Sequence, residues 1–328
     1  MRRREFIACA GVLAACPQIA AAQDGTKKLG VLMGYRENDR EARIRLTAFF
    51  QALEEHGWKE SRNLRLEYQW AAGNPDQIRN AASALVRWNP DCILSATTPV
   101  LRALLHESRS VPIVFLSVSD PVGDGFVRSL SNPESNATGF TNLERSLSGK
   151  WLELLKELAP SITRVAALFN PATAAGGGSY YWAPFEAAAS WSGVEPVKSP
   201  VNSEADLEPQ VVQLASMRQC GLAVMPDVFT VVHRRRIITL AALHQLPAVY
   251  PYRYFAEDGG LMAYGIDLSD QYRRAARYVH RIFRGEKPGE MPVQGPAKFE
   301  LVINQAAAQA MKLKVPPSLL ARADEVIE

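Results

Sequence analysis

The chain has 328 residues, of which 47% are hydrophobic and 22% charged, so a largely disordered protein is excluded and two domains of ordinary size are indicated. Its net charge of +3 comes largely from residues 1–22, which hold three arginines and one glutamate. The remaining 34 basic and 33 acidic side chains are nearly balanced, so the surface gives no electrostatic argument for binding nucleic acid.

The first predicted element, residues 1–22, has the organisation of an export signal. Arginines at positions 2–4 precede an apolar run over 7–15 that is too short to span a bilayer, and alanines at 20–22 suit a cleavage site. Arg3-Arg4-Glu5-Phe6-Ile7 is similar to a twin-arginine signal, with an ordinary Sec signal as the alternative. Both routes predict a mature protein in the periplasm.

Retention in that compartment has two interpretations. Leu13-Ala14-Ala15-Cys16 is similar to a lipobox, in which Cys16 is acylated and becomes the mature N-terminus. Pro17 follows directly, however, and the site after Ala22 suits a signal peptidase, so we favour cleavage there and a soluble product. No later apolar stretch reaches membrane-spanning length.

Downstream of the signal, strand-like and helix-like segments alternate, which is typical of parallel sheets covered on both faces. A first unit has predicted strands over 28–34, 63–70, 91–96 and 112–118, and predicted helices over 43–56, 75–88, 99–108 and 123–130. A second unit has predicted helices over 150–158, 181–192, 205–217 and 231–244, and predicted strands over 164–169, 194–200, 222–225 and 248–250. The pattern therefore predicts two successive α/β units.

Three segments are candidates for chain crossings from one unit to the other, namely 131–136, 262–267 and 291–294. An amphipathic helix is predicted over 270–284, between the last two. The basic run over 233–236 is expected to form a solvated helix face.

The ends of the predicted strands carry the candidate site, because ligands of open α/β sheets bind beyond the carboxyl ends of the strands. These ends are 34–36, 97–99, 119–121, 170–171, 227–230 and 250–252. Each also suits an ordinary turn, so no single residue among them identifies a site.

Three features of these strand ends suggest ligand chemistry. Thr97 and Thr98 precede Pro99 at a helix start, whose free N–H groups suit a carboxylate or a phosphate. Asp120 is placed to pair with an ammonium group, or alternatively to cap a helix near Gly123. Aromatic residues either line a slot for a flat ligand or belong to the core, and they are Tyr35, Tyr250, Tyr252, Tyr254 and Phe255.

Enzyme signatures are missing from the sequence. The first strand is not followed by a dinucleotide-binding glycine motif, Ser148-Gly149-Lys150 lacks the spacing of a phosphate loop, and no serine-hydrolase elbow is present. The five histidines show no metal-ligand spacing. We therefore expect no enzyme, no metal and no cofactor.

Short motifs follow one another in a specific order between residues 27 and 315. They are Leu29-Gly30-Val31-Leu32, Pro90-Asp91-Cys92-Ile93-Leu94 with Thr98-Pro99, Pro112-Ile113-Val114-Phe115, Ser119-Asp120-Pro121-Val122, Asn136-Ala137-Thr138-Gly139, Leu152-Glu153-Leu154-Leu155-Lys156-Glu157-Leu158, Tyr264-Gly265-Ile266-Asp267 and Phe299-Glu300-Leu301-Val302-Ile303-Asn304. In this order the sequence resembles the extracytoplasmic substrate-binding proteins of ABC importers, in particular the tryptophan- and tyrosine-type binders.

That resemblance implies a periplasmic-binding-protein-like fold, with two doubly wound α/β lobes joined by three crossover segments and a cleft between them. It implies one lobe from 27–140 with 266–294, and the other from 141–265 with 295–328. The implied ligand contacts are Tyr35, Thr97, Thr98, Ser119, Asp120, Asn170, Asp227, Thr230, Tyr250 and Asp267. In an amino-acid ligand, the carboxylate would meet the Thr97 and Thr98 amides, and the ammonium group would meet Asp120.

The resemblance also implies a function. The expected protein is a monomeric receptor that closes around a small solute, such as an amino acid or a related carboxylate, and delivers it to an ABC permease in the inner membrane. A module that presents the solute to a signalling receptor is the alternative, and an enzyme on the same scaffold is a third hypothesis. The loop Tyr35-Arg36-Glu37-Asn38-Asp39-Arg40 is more charged than an apolar ligand side chain needs, so the sequence leaves the solute open.

Overall fold

The computed structural model describes residues 25–142, 144 and 147–328, which form two lobes, each with its own sheet. The export signal predicted over residues 1–22 and the acylation of Cys16 lie outside these residues. Within the described ranges, no helix is both long enough and apolar enough to cross a membrane.

The first lobe contains the strands β1 (Lys27–Met33), β2 (Leu64–Trp70), β3 (Cys92–Ala96), β4 (Ile113–Val118) and β5 (Ala137–Thr141), and the helices α1 (Arg40–Glu55), α2 (Pro75–Arg87) and α3 (Thr98–Glu107). The strands form a parallel sheet in the order β2-β1-β3-β4-β5. Strands β3 and β4 are buried throughout, which explains why their sequences are almost continuous apolar runs. Helix α2 begins at Pro75 because the Asn74 side chain accepts two of its free N–H groups.

The second lobe contains the strands β6 (Arg164–Phe169), β7 (Glu195–Pro200), β8 (Cys220–Val224), β9 (Ala248–Tyr250), β10 (Met262–Ile266), β11 (Phe299–Asn304) and β12 (Glu325–Ile327). Its helices are α4 (Leu147–Leu158), α5 (Ser179–Ser192), α6 (Leu207–Ser216), α7 (Val228–Val232), α8 (Arg234–Leu243), α9 (Arg253–Glu257), α11 (Gln305–Ala310) and α12 (Pro317–Leu320). The strand order is β12-β11-β10-β9-β8-β6-β7, parallel except for the antiparallel pair β10 and β11.

Helix α10 (Leu268–Phe283) follows β10 of the second sheet but packs on α1 of the first lobe. Its buried stripe includes Tyr272, Ala275 and Val279, as the amphipathic pattern predicts. The chain therefore crosses between the lobes three times, after β5, after β10, and between α10 and β11. The two-lobe α/β architecture with three crossovers is confirmed, whereas the assignment of 27–140 with 266–294 to one lobe and 141–265 with 295–328 to the other stays a prediction.

The segment between β4 and α4 differs from its sequence-based prediction. The predicted helix over 123–130 is a series of turns, because the Asp120 carboxylate accepts the N–H of Gly123 and Gly125 has a left-handed φ of +72°. The segment 131–136 is not a crossing, since it leads into β5 of the same sheet. Strand β5 contains Gly139, where a Cβ would lie 2.0 Å from the backbone oxygen of Phe115, so a side chain is excluded there.

Candidate functional site

The facing edges of the two lobes meet at a chain of buried hydrogen bonds. Ser119, beyond β4, donates to Oδ1 of Asn142 (3.0 Å), and its Oγ lies 2.8 Å from the hydroxyl of Tyr181 on α5. Asn142 donates through Nδ2 to the hydroxyl of Tyr252, 2.8 Å away beyond β9. All four side chains are at most 4% exposed. Since Ser119 belongs to the first lobe and both tyrosines to the second, this chain of bonds joins the two lobes directly.

A second cluster adjoins this chain, because Tyr252 stacks on Tyr254 of α9 with 5.4 Å between ring centroids. We call it the arginine–tyrosine cage, and it consists of Arg45, Tyr35, Tyr254 and Tyr272. The Cζ atom of Arg45 lies 4.9 Å from the ring centroid of Tyr35, 5.4 Å from that of Tyr254 and 5.8 Å from that of Tyr272. These distances suit cation–π contacts on three sides of one guanidinium.

Hydrogen bonding in the cage is incomplete. Arg45 is 2% exposed, and its Nε donates to the backbone oxygen of Glu41 at 3.0 Å. Its Nη1 and Nη2 atoms have no hydrogen-bond partner among the described residues, and the same is true of the hydroxyls of Tyr254 and Tyr272. Burial raises the pKa of both hydroxyls, so they stay protonated at neutral pH.

Arg45 is not among the contacts predicted from the sequence, although the pattern contained a signal for it. Arg45 follows Ala42 by three residues and precedes Phe49 by four, so it lies on the buried stripe of α1. A charged residue on the apolar face of a predicted helix is an anomaly that indicates either a buried ion pair or a site.

At the mouth of the cleft, Arg234 of α8 joins the two lobes electrostatically. Its Nη1 lies 2.5 Å from Oδ2 of Asp39 in the first lobe, and its Nε lies 2.8 Å from Oδ2 of Asp258 in the second. Burial by itself would raise the pKa of Asp39, but the charge of Arg234 and the N–H of Ala42 hold that pKa below its ordinary value.

This arrangement corrects the prediction of a solvated face over 233–236. The prediction is wrong for Arg234, whose side chain is only 8% exposed. It is confirmed for the next residue, Arg235, whose side chain is 78% exposed. The basic run over 233–236 therefore contains one buried arginine, Arg234, which pairs with Asp39 of the opposite lobe.

Four of the predicted contact residues lie at the first-lobe edge of the cleft. Tyr35 belongs to the cage, and Ser119 belongs to the hydrogen-bond chain. Thr97 and Thr98 are both buried at the start of α3. The N–H of Thr97 donates to the backbone oxygen of Leu116 at 3.0 Å, so this amide is not free for a ligand, whereas the Thr97 hydroxyl has no partner among the described residues.

Three other predicted contacts have structural roles of their own. The Asp120 carboxylate accepts the N–H of Gly123 at 2.8 Å, as the capping alternative proposed, although it caps a turn rather than a helix. Tyr250 is 1% exposed and stacks on Phe255 inside the second lobe. Asp267 caps α10 by accepting the N–H of Asp270 at 3.1 Å. Their contact with a solute stays a prediction.

The last three predicted contacts form one cluster around a buried carboxylate at the second-lobe edge. Asp227 accepts the N–H of Asn170 (3.1 Å), the hydroxyl of Thr173 (3.0 Å) and the N–H of Thr230 (3.1 Å). Burial outweighs these bonds and raises the pKa of Asp227 to about 6. The cluster therefore fixes the turns that follow β6 and β8.

The raised pKa of Asp227 predicts a specific dependence of stability on pH. Because the folded-state pKa of Asp227 is higher than its ordinary pKa of 3.8, protonation of this carboxyl stabilises the folded state. The stabilisation is fully present below pH 3.8 and is lost as the pH rises through about 6. We expect the free energy of unfolding of the wild type, relative to Asp227→Asn, to fall by up to about 3 kcal/mol across that window. Urea denaturation of both proteins at several pH values measures this difference. A difference that stays constant with pH would contradict the prediction.

The arrangement favours reversible binding of a small polar molecule. Buried hydroxyls, an amide side chain and the buried guanidinium of Arg45 meet between the lobes. In the part of the chain that the structure describes, no group of three or more His, Cys, Asp or Glu side chains is placed to hold a metal ion.

Comparison with known proteins agrees with this geometry. The chain matches the family model described as ABC transporter substrate binding protein over residues 41–327. It is 24% identical over 268 residues to a tyrosine-binding protein of Clostridioides difficile (strain R20291), a match that covers 81% of this chain and 76% of that protein.

Two solved structures have the same fold. One is a conserved domain protein from Vibrio cholerae, with a TM-score of 0.85, 26% identity, and coverage of 92% of this chain and 99% of that chain. The other is an ABC domain from Streptococcus pneumonia in complex with L-Trp, with a TM-score of 0.85, 22% identity, and coverage of 92% of this chain and 100% of that chain.

Proposed function

The chain belongs to the ABC transporter substrate binding protein family, and we propose that it is the extracytoplasmic solute receptor of an ABC importer. Members of the family bind small molecules and work with an ABC permease. We place this chain in the periplasm as a monomer, without a cofactor or a nucleic-acid partner. In this proposal it performs no covalent chemistry and passes its solute to a permease in the inner membrane.

One observation carries the proposal, namely buried polar groups without partners, of which two lie in the arginine–tyrosine cage that joins the lobes. They include the Thr97 hydroxyl, the Tyr254 and Tyr272 hydroxyls and Oε1 of Gln271. Nearly all buried polar groups in folded proteins are hydrogen-bonded, so each exception needs an explanation. A polar solute between the lobes supplies the missing donors and acceptors.

We propose that binding is coupled to hinge closure. A solute that contacts both lobes binds the closed form better than the open form and shifts the equilibrium between them. The bonds of Ser119 to Asn142 and to Tyr181 join the two units and form only when the lobes are closed. In the proposal, the moving units are residues 27–140 with 266–294 and residues 141–265 with 295–328, and the permease recognises the closed form.

The solute contacts in this proposal are the ten residues predicted from the sequence. The burial of Tyr35, Thr97, Thr98, Ser119 and Asp227 at the facing lobe edges supports the placement. For an amino-acid solute we keep Asp120 as the partner of the ammonium group. That role requires Asp120 to contact the solute in addition to the Gly123 N–H.

Thermal-shift screening of the purified protein against the twenty L-amino acids and small carboxylates tests the proposal. We expect at least one compound to raise the melting temperature, since a ligand present at 100 times its Kd stabilises by roughly 2.7 kcal/mol. Calorimetry then gives the Kd, and small-angle scattering is expected to show a smaller radius of gyration with the compound present. If the compound is an amino acid, Asp120→Ala is expected to weaken its binding.

Two results would count against the receptor proposal. One is a panel in which no compound raises the melting temperature. The other is a compound that binds and is chemically converted, which would favour the enzyme hypothesis. Unaltered affinity in Asp120→Ala would remove only Asp120 from the site.

A further inference from the structure

We propose that Arg45 holds the anionic group of the solute, so that the receptor selects small carboxylates or similar organic anions. This inference rests on the proposed function and identifies the chemical class of its solute. It also moves the anion site from the Thr97 and Thr98 amides, where the resemblance placed it, to the arginine–tyrosine cage.

Arg45 carries buried N–H donors that lack hydrogen-bond partners among the described residues. A buried guanidinium is tolerated when its charge is paired and its N–H groups are hydrogen-bonded. Arg45 is 2% exposed, yet only its Nε has a partner, the backbone oxygen of Glu41. Four N–H donors on Nη1 and Nη2 are left without partners among the described residues. A ligand that accepts from both nitrogens supplies partners to at least two of these four donors.

The neighbouring carboxylates do not bind the Nη atoms of Arg45. Asp39 contributes to the electrostatic surroundings of Arg45, but it pairs with Arg234 and accepts the N–H of Ala42. Glu41 meets Arg45 through its backbone oxygen, and no ion pair joins its carboxylate to the guanidinium within 4.0 Å in the described ranges. The nearby acids therefore lower the cost of burying Arg45 without occupying its Nη atoms.

The donor groups around Arg45 also suit an anion. The hydroxyls of Tyr254 and Tyr272 are buried, protonated and without partners, and both rings lie within 5.8 Å of the guanidinium. The two Nη atoms and the two hydroxyls together present N–H and O–H donors to one solute, which suits an acceptor with two oxygens. A carboxylate binds an arginine in this bidentate manner, and the planar guanidinium adds geometric selectivity.

The cage is built from residues of both lobes, so it closes only when the lobes do. Arg45, Tyr35 and Tyr272 belong to the first lobe, whereas Tyr254 belongs to α9 of the second. An anion that accepts from both Arg45 and Tyr254 therefore contacts the two lobes and favours the closed form. Anion recognition and hinge closure are coupled through one residue pair.

The test compares acids with their amides on the wild type and on Arg45→Met. The probes are acetate, succinate, benzoate and L-tyrosine, each paired with its carboxamide, and calorimetry gives the affinities. We expect the wild type to bind at least one acid 30-fold or more tightly than its amide. Arg45→Met is expected to lose at least 30-fold in affinity for that acid and to bind acid and amide alike. Arg43→Met, on the exposed side of the same helix, is the matched control and keeps the preference.

Two smaller substitutions test the same site if Arg45→Met fails to fold. Tyr254→Phe and Tyr272→Phe remove only an unpartnered hydroxyl, and each is expected to weaken binding of the acid 3-fold to 10-fold. An undiminished preference for the acid in Arg45→Met, or equal binding of acid and amide by the wild type, overturns this inference and leaves the receptor proposal standing. Failure of every acid and every amide to bind counts against both.

Discussion

Replacing Arg234 with alanine is expected to lower the free energy of unfolding by about 4 kcal/mol. Arg234 pairs with Asp39 across the cleft and with Asp258 within its own lobe. Its side chain and that of Asp39 are each 8% exposed, so the substitution leaves a buried carboxylate without its cation. Removal of one member of a buried ion pair is costly for this reason, whereas an exposed pair contributes little. Urea denaturation monitored by circular dichroism measures the change.

The adjacent residue provides the control for this prediction. Arg235 is 78% exposed and reaches Asp258 only at 3.8 Å, so Arg235→Ala is expected to change the free energy of unfolding by less than about 0.5 kcal/mol. A double-mutant cycle with Asp39→Ala isolates the bond between the lobes. A coupling energy near zero in that cycle would show that the pair does not hold the lobes together.

Replacing Gly265 with alanine is expected to lower the free energy of unfolding by at least about 3 kcal/mol. Gly265 lies in β10, opposite Glu300 of β11, and a Cβ at this position would be 1.7 Å from the backbone oxygen of Pro251. The clash is with a backbone atom, which cannot move aside as the end of a flexible side chain can. The segment that follows β9 must therefore separate from strand β10. Chemical denaturation again gives the magnitude.

Gly149 of α4 is the matched control for this glycine. A Cβ there would meet only the Cβ of Ala188, at an ordinary distance of 3.7 Å. Gly149→Ala is therefore expected to be neutral or to stabilise the helix by up to about 1 kcal/mol. If both variants lose the same free energy of unfolding, the clash with Pro251 is not the reason why residue 265 is glycine.

The sequence predicted those elements whose local pattern agrees with their final environment. The buried strands β3 and β4 and the amphipathic helix α10 were recognised because burial on two faces or on one stripe leaves a clear periodicity. Strand β5 was not recognised, because Ala137–Thr141 is short and contains a glycine that only the neighbouring strand explains. Its place in the sheet is set by tertiary pairing rather than by local propensity.

Strand ends predict the cleft edge, and Tyr35, Thr97 and Ser119 are buried there, although their contact with a solute stays a prediction. Arg45 was missed because it lies one and a half turns inside a helix, where the strand-end rule does not apply. A rule that examines charged residues on apolar helix faces would have found it.

The unequal contribution of the lobes to the arginine–tyrosine cage has a kinetic consequence. Three of its four members belong to the lobe of the five-stranded sheet, and a single ring, Tyr254, comes from the other. An anionic solute is then expected to bind first to the lobe of the five-stranded sheet. Its association rate constant is expected to fall as the ionic strength rises. In the proposed hinge motion Tyr254 is the member of the cage that moves away on opening, so the residence time of the solute is expected to depend on it.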